Sequence, residues 1–268
     1  MRVLVTGGYG LIGHNVVKRL KDQNHNVYIV DTKTNYGIIP QSEINYLMAE
    51  RAKKLDYHLH YNTDIANTGP IDYVVQTTGP EVLVHMASFP RQKVVNANPQ
   101  WGADVMMRGL INLLESAKAH GVRRFVYISS SMVYGDFSDD VKEDYICKPQ
   151  GQYGIMKLAG EWLTKDYARQ DNMVYTILRP SAVYGPLDVE DRVVSKFLLN
   201  AMRGQTLRVN GPNEKLDFTY VEDTADGIVG ATLSDNTENK IYNITRSKGV
   251  SLIDAAMPGM LPVINKFC

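Results

Sequence analysis

Short apolar runs alternate with segments whose apolar residues recur every three or four positions, and this alternation persists through about two thirds of the chain. Residues 2–6 (RVLVT) form an apolar run that ends at glycines, which predicts a buried strand. Residues 11–20 carry apolar positions at helical spacing, with Lys18 and Arg19 late, where cations suit the helix dipole. Residues 26–31 (NVYIVD) predict a second strand, so a β-α-β unit closes within the first 31 residues and implies parallel strands. Further along, the pattern predicts helices over 42–55, 99–120 and 152–169, and strands over 57–61, 82–87, 124–129 and 174–178. Beyond Gly185 it loosens into a helix over 193–202, a short strand near 207–209, a helix over 221–233 and a strand over 240–244. The expected fold is α/β: a Rossmann-type doubly wound parallel sheet with a small, shortened C-terminal substrate-binding cap. Residues 1–185 would form the dinucleotide-binding domain and 186–268 the cap, interleaved with the core.

A length of 268 residues and 44% hydrophobic content suit one such domain with a small appendage. Lys and Arg balance Asp and Glu at 29 each, so nothing in the charge points to nucleic acid or an anionic membrane as a partner. The two cysteines, Cys147 and Cys268, lack metal-ligand spacing, which argues against a metal site or disulfide framework and for a reducing compartment. No apolar run reaches membrane-spanning length and no leader pattern opens the chain, so a cytoplasmic location is expected.

Chemistry enters at TGGYGLIG (Thr6 to Gly13), between the first strand and first helix. Glycines there allow a tight turn and close backbone approach to a pyrophosphate, and the helix N-terminus offers free N–H groups and a positive dipole end. Asp31 ends the second strand, where a carboxylate holds ribose hydroxyls and repels a 2′-phosphate, which favours NAD over NADP. Lys33 nearby is the one feature that suits a phosphate. Asp64 and Ile65 follow the third strand; Asp64 either meets the adenine amino group or caps a helix.

Tyr153 and Lys157 (YGIMK) lie four apart at the start of a predicted helix and share a face. A phenol is a poor base at neutral pH, and an adjacent ammonium together with an oxidised nicotinamide favours its phenolate. Ser129, Ser130 and Ser131 end a predicted strand, on the carboxyl edge where ligands bind in such sheets.

In order, TGGYGLIG, Asp31, Asp64-Ile65, HMAS (from His85), SSSMVYG (from Ser129), YGIMK, RPSAVYGP (from Arg179) and DFTYVEDTADGI (from Asp217) resemble the extended short-chain dehydrogenase/reductase family. The likeness is to its NAD-dependent sugar epimerase/dehydratase branch, in particular UDP-sugar 4-epimerases, over roughly residues 1–245. It implies NAD as cofactor, a nucleotide sugar as substrate and a homodimer paired through the helices that start near Pro99 and Gln152. It also implies roles: Tyr153 as acid/base, Lys157 supporting it and binding ribose, and Ser130 orienting the substrate oxygen. Gly7, Gly10 and Gly13, with Leu11 and Ile12 between them, would hold the pyrophosphate. Asp31 would hold the ribose, Asp64 and Ile65 the adenine, and Ala87 and Ser88 the cofactor after the fourth strand.

Met132 stands where dehydratases and decarboxylases of the branch carry an acid, and a thioether transfers no protons. This favours epimerisation, at C4 by transient oxidation to a ketone, over elimination. Met106, Ala182 and Leu216 replace the branch's usual asparagine, asparagine and arginine, and Arg91, Lys93, Arg192 and Arg208 are candidate substitutes for lost phosphate contacts. A reductase or dehydrogenase of a keto-sugar or small alcohol stays open as the alternative, as does a non-catalytic NAD-binding protein.

Overall fold

Val3 and Val5 point to one side of their strand and Leu4 to the other, and all three are fully buried. A strand buried on both faces belongs in the middle of a parallel sheet with helices on both sides. The computed structural model describes residues 1–37, 39–55, 59–89, 91–136 and 140–257. It begins with β1 (Arg2–Thr6), α1 (Leu11–Asp22), β2 (Asn26–Val30), α2 (Gln41–Lys53), β3 (His60–Tyr61), α3 (Thr68–Thr78) and β4 (Val82–His85). Next come α4 (Gln92–Ala97), α5 (Pro99–Ala103), a π-helical turn (Asp104–Arg108), α6 (Gly109–Ala119), β5 (Arg124–Ile128), α7 (Gly151–Gln170) and β6 (Val174–Pro180). The rest comprises α8 (Val193–Met202), β7 (Lys215–Leu216), α9 (Val221–Leu233), β8 (Lys240–Ile244), β9 (Val250–Ser251) and α10 (Leu252–Ala256).

Seven strands form one sheet in the order β3-β2-β1-β4-β5-β6-β8, with every pair parallel. Strand order reverses at β1, so the crevice beside β1 and β4 is the topological switch point where ligands bind in such sheets. Leu4, Leu83, Phe125 and Ile177 meet the helices α3, α6 and α7 on one face. Val5, Val84, Val126 and Leu178 meet α1 and α9 on the other. The late elements α9 and β8 thus complete the main layers, while β7 and β9 form a separate antiparallel pair.

Several expectations are corrected. Residues 207–209 form no strand; the short late strand is β7, at 215–216, paired to β9. The helix expected over 99–120 is three pieces, because the π-helical turn adds a residue to the coil between α5 and α6. Gly109 resumes the α-helix against Ile65, where a Cβ would stand 2.6 Å from that side chain. α3 and α4 are additional to the sequence expectation. The GP pair of α3 resembles a turn, yet proline is tolerated in a first helical turn, and Ile71, Val74, Val75 and Thr78 bury one face. The start of the strand expected over 57–61 and the prolines and cysteine of the tail lie outside the described residues. No described helix is long and apolar enough to cross a membrane.

Candidate active site

The glycine loop owes its shape to close contacts. Gly7 has φ +74°, and a Cβ there would stand 2.7 Å from the Ala87 backbone nitrogen; one on Gly13 would stand 2.1 Å from the Gly7 carbonyl oxygen. Gly10 caps α1 without a side chain, which leaves the first N–H groups of the helix facing the cleft. The Asp31 carboxylate accepts from the Tyr9 N–H at 2.8 Å and the Lys33 N–H at 2.7 Å, so it pins the loop from the end of β2.

A cleft of about 250 Å³ runs along these groups. Gly7, Gly10, Leu11, Asp31, Asp64, Ile65, Ala87 and Ser88 all line it. Ile12 and Gly13 do not: Ile12, in the first turn of α1, packs against the core, and Gly13 acts by its closeness to the loop backbone. Asp64 accepts from the Ala66 N–H at 2.9 Å in a local turn and faces the cleft, while the cap position of α3 is Asn67. Lys33 lies 4.1 Å over the Tyr9 ring. Of the four candidate phosphate partners, Arg91 and Arg192 line the cleft, whereas Lys93 and Arg208 are exposed outside it.

Ser130, Tyr153 and Lys157 meet beyond the carboxyl end of β5. Lys157 Nζ donates to the Ile128 carbonyl at 2.7 Å and lies 5.9 Å over the Tyr153 ring. Burial pulls the Lys157 ammonium down to about 8, against the opposing charge of Glu161. Burial raises the Tyr153 phenol, while the Arg192 charge and a hydrogen bond with Ser130 pull it back. The phenol is therefore protonated at neutral pH in the free protein.

A second buried group stands behind this trio and was missed in the sequence, because nothing in the spacing ties its members together. Arg179 grips Glu161 with two bonds of 2.9 and 2.7 Å, and Ser129 Oγ donates to the same carboxylate at 2.5 Å. Arg179 also donates to the Tyr134 hydroxyl at 2.7 Å, which donates to Asn243 at 2.8 Å. Arg51 and Asp188 were missed for the same reason; both are buried in the cleft wall.

Met132 sits in a 3-10 turn after β5, and Met106 is buried in the π-helical turn. Ala182 has φ +22°, and Leu216 lies in β7. The glycine cradle fits a dinucleotide, as do buried polar atoms without protein partners on Ser88 and Arg91.

Parallel strands in this order, with a glycine-lined cleft at the switch point, define a dinucleotide-binding α/β protein. The model of the NAD dependent epimerase/dehydratase family matches residues 3–245, and the chain belongs to that family. A putative UDP-glucose 4-epimerase of Methanocaldococcus jannaschii is 31% identical, over 93% of this chain and 78% of that protein. An uncharacterized UDP-glucose epimerase of Bacillus subtilis, YtcB, is 28% identical over 94% of this chain and 79% of its own length. Among solved structures, the UDP-glucuronic acid 4-epimerase of Bacillus cereus, in complex with UDP-glucuronic acid and NAD, superposes with a TM-score of 0.86 at 28% identity. It covers 99% of this chain, which spans 83% of it.

Proposed function

We propose that this protein is an NAD-dependent epimerase of a nucleotide-activated sugar, acting at C4 through a transient ketone. The observation that carries the reading is the convergence of Ser130, Tyr153 and Lys157 beyond β5, beside a glycine-lined cleft, in a chain of this family. Residues 1–185 form the dinucleotide-binding domain, whose cleft Asp188 and Arg192 also line, and the segment from 186 onward supplies the sugar-nucleotide cap while lending α9 and β8 to the core.

Gly7, Gly10 and the first turn of α1 hold the pyrophosphate, Asp31 the ribose, Asp64 and Ile65 the adenine, and Ala87 and Ser88 the stretch after β4. Bound NAD supplies reversible hydride acceptance and, when oxidised, a positive charge that favours the Tyr153 phenolate. Tyr153 takes the proton of the sugar hydroxyl as the carbon is oxidised, and returns it after the keto-sugar has turned over. Ser130 orients the reacting oxygen. Lys157, held by the Ile128 carbonyl, keeps a cation beneath the phenol ring. Met132 offers no acid for elimination.

The exposed apolar residues Ile155 and Trp162, seven apart on α7, with Ile111 on α6, support a homodimer formed through these helices. Balanced charge and two cysteines without metal spacing support a cytoplasmic location.

Two measurements test the reading. Purified protein is dialysed, denatured and assayed for released NAD(H), with about one per chain expected. Turnover of UDP-glucose and UDP-glucuronic acid is then compared with that of Tyr153→Phe, which should be slower by about 100-fold or more while NAD content is unchanged. Full activity in the variant sinks the Tyr153 role. A chain that is empty and exchanges NADH each turnover is a reductase instead.

A further inference from the structure

Buried polar atoms without a protein partner are rare in folded proteins, and each one asks for a ligand or a water. Four of those among the described residues belong to side chains that line one cleft: Arg51 Nε, Ser88 Oγ, Arg91 Nη2 and Asp188 Oδ2. They come from α2, from the loop after β4 and from the segment that follows Pro186, which are far apart in sequence.

The segment 187–192 is tied down on both sides of the cleft. Arg51 bridges it to the glycine loop: Nη1 donates to the Tyr9 carbonyl at 2.9 Å and Nη2 to the Leu187 carbonyl at 2.6 Å. The Glu190 N–H donates to Glu43 on α2 at 2.7 Å. From the opposite wall, Arg91 pairs with Asp191. Leu187 takes a left-handed backbone, φ +65°, to make the turn. Asp188, in the middle, is buried and has Arg192 3.9 Å away, with Arg51 and Arg91 close enough for their charges to be felt.

Three guanidinium groups, Arg51, Arg91 and Arg192, therefore gather on one stretch of the cleft wall about Asp188 and Asp191, with Asp31 and Asp64 elsewhere along the same cleft. These guanidinium groups lie in the same cleft as Gly7, Gly10 and Leu11, where a helix N-terminus already favours an anion. Arg51 Nε and Arg91 Nη2, which have no protein partner, are charged donors of the kind that diphosphate oxygens accept from.

We propose that Arg51, Arg91 and Arg192, gathered about Asp188, form a clasp that takes the diphosphate of the dinucleotide and locks segment 187–192 across it, so that the cofactor is retained between turnovers. The inference rests on the epimerase reading, in which a cofactor that ends each cycle in its starting state has no need to leave. The diphosphate of a nucleotide sugar has the same chemistry. The cofactor is favoured because Arg51 is anchored on the glycine loop itself.

The test compares wild type with Arg91→Gln. NAD release is followed by chasing loaded protein with an excess of a fluorescent dinucleotide, and UDP binding is measured by calorimetry. The clasp requires release to become at least about tenfold faster, the size of effect expected for a lost charge-assisted hydrogen bond, with UDP affinity held within twofold. Unchanged release overturns it, and so does a fall in UDP affinity with release unaltered, which assigns the cluster to the substrate. If Arg91→Gln does not fold, hydrogen exchange on the unaltered protein decides. Amides of residues 187–192 should exchange several-fold more slowly with NAD and not with UDP; equal exchange with and without NAD overturns the clasp. A wild type that binds no NAD overturns the epimerase reading and the clasp together. A wild type that binds NAD and releases it no more slowly than the variant overturns the clasp alone.

Discussion

His14 and His85 are buried without compensating carboxylates. His14 bonds the Gly10 carbonyl at 2.9 Å and His85 bonds Thr6 Oγ1 at 2.8 Å, and burial pulls their imidazoles down to about 4 and about 3. In the unfolded chain each takes its proton near 6.5. Between 6.5 and about 4 the unfolded state therefore binds more protons than the folded one, and stability falls as pH is lowered through that window. At pH 5 the loss amounts to roughly 2 kcal/mol for each histidine. Urea midpoints measured from pH 7.5 to 5 should fall steadily, and His85→Gln should show a shallower decline, whatever its stability at pH 7.5. An equal slope in the variant would remove His85 from this account.

At the scale of elements, the Glu161–Arg179 pair joins α7 to β6, and Ser129 ties the end of β5 to the same carboxylate. Lys157 stands one turn before Glu161 on the same helix, so the pair sets how α7 presents its catalytic first turns. Glu161→Gln leaves a buried guanidinium without its counter-charge and should cost about 3–5 kcal/mol in urea unfolding. A loss under 1 kcal/mol would mean that water or a neighbour replaces the carboxylate. The strands of the main sheet and the helix α7 were legible in sequence because each carries its own apolar pattern, and the glycine loop because its position after β1 has one use; β7 and β9, two residues each, are too short to show one. The Glu161–Arg179 pair and the Arg51–Leu187 bridge, 136 residues apart, were not, since their partners meet only once the sheet has formed. The π-helical turn was hidden too: one added residue shifts a helical period too little to be seen against the apolar residues around Met106.

At the scale of the whole molecule, Ile155 and Trp162 leave an apolar stripe on α7. Sedimentation of the wild type should give a dimer at micromolar concentration, and a double change, Ile155→Glu with Trp162→Glu, a monomer; a monomeric wild type would assign the stripe elsewhere. The sheet order has a further consequence, for the growing chain. β6 pairs on one side with β5, and on the other only with β8, which ends 64 residues after β6 ends. While residues 181–239 are being synthesised, the finished part of the sheet presents the bare edge of β6, the strand that carries Ile177 and Leu178, and the α1 face still lacks α9. Every nascent copy passes through a stage in which an adhesive border is open to its neighbours on the polysome. Ribosome-associated chaperones would find their binding surface on this protein there, late in translation and for a short time.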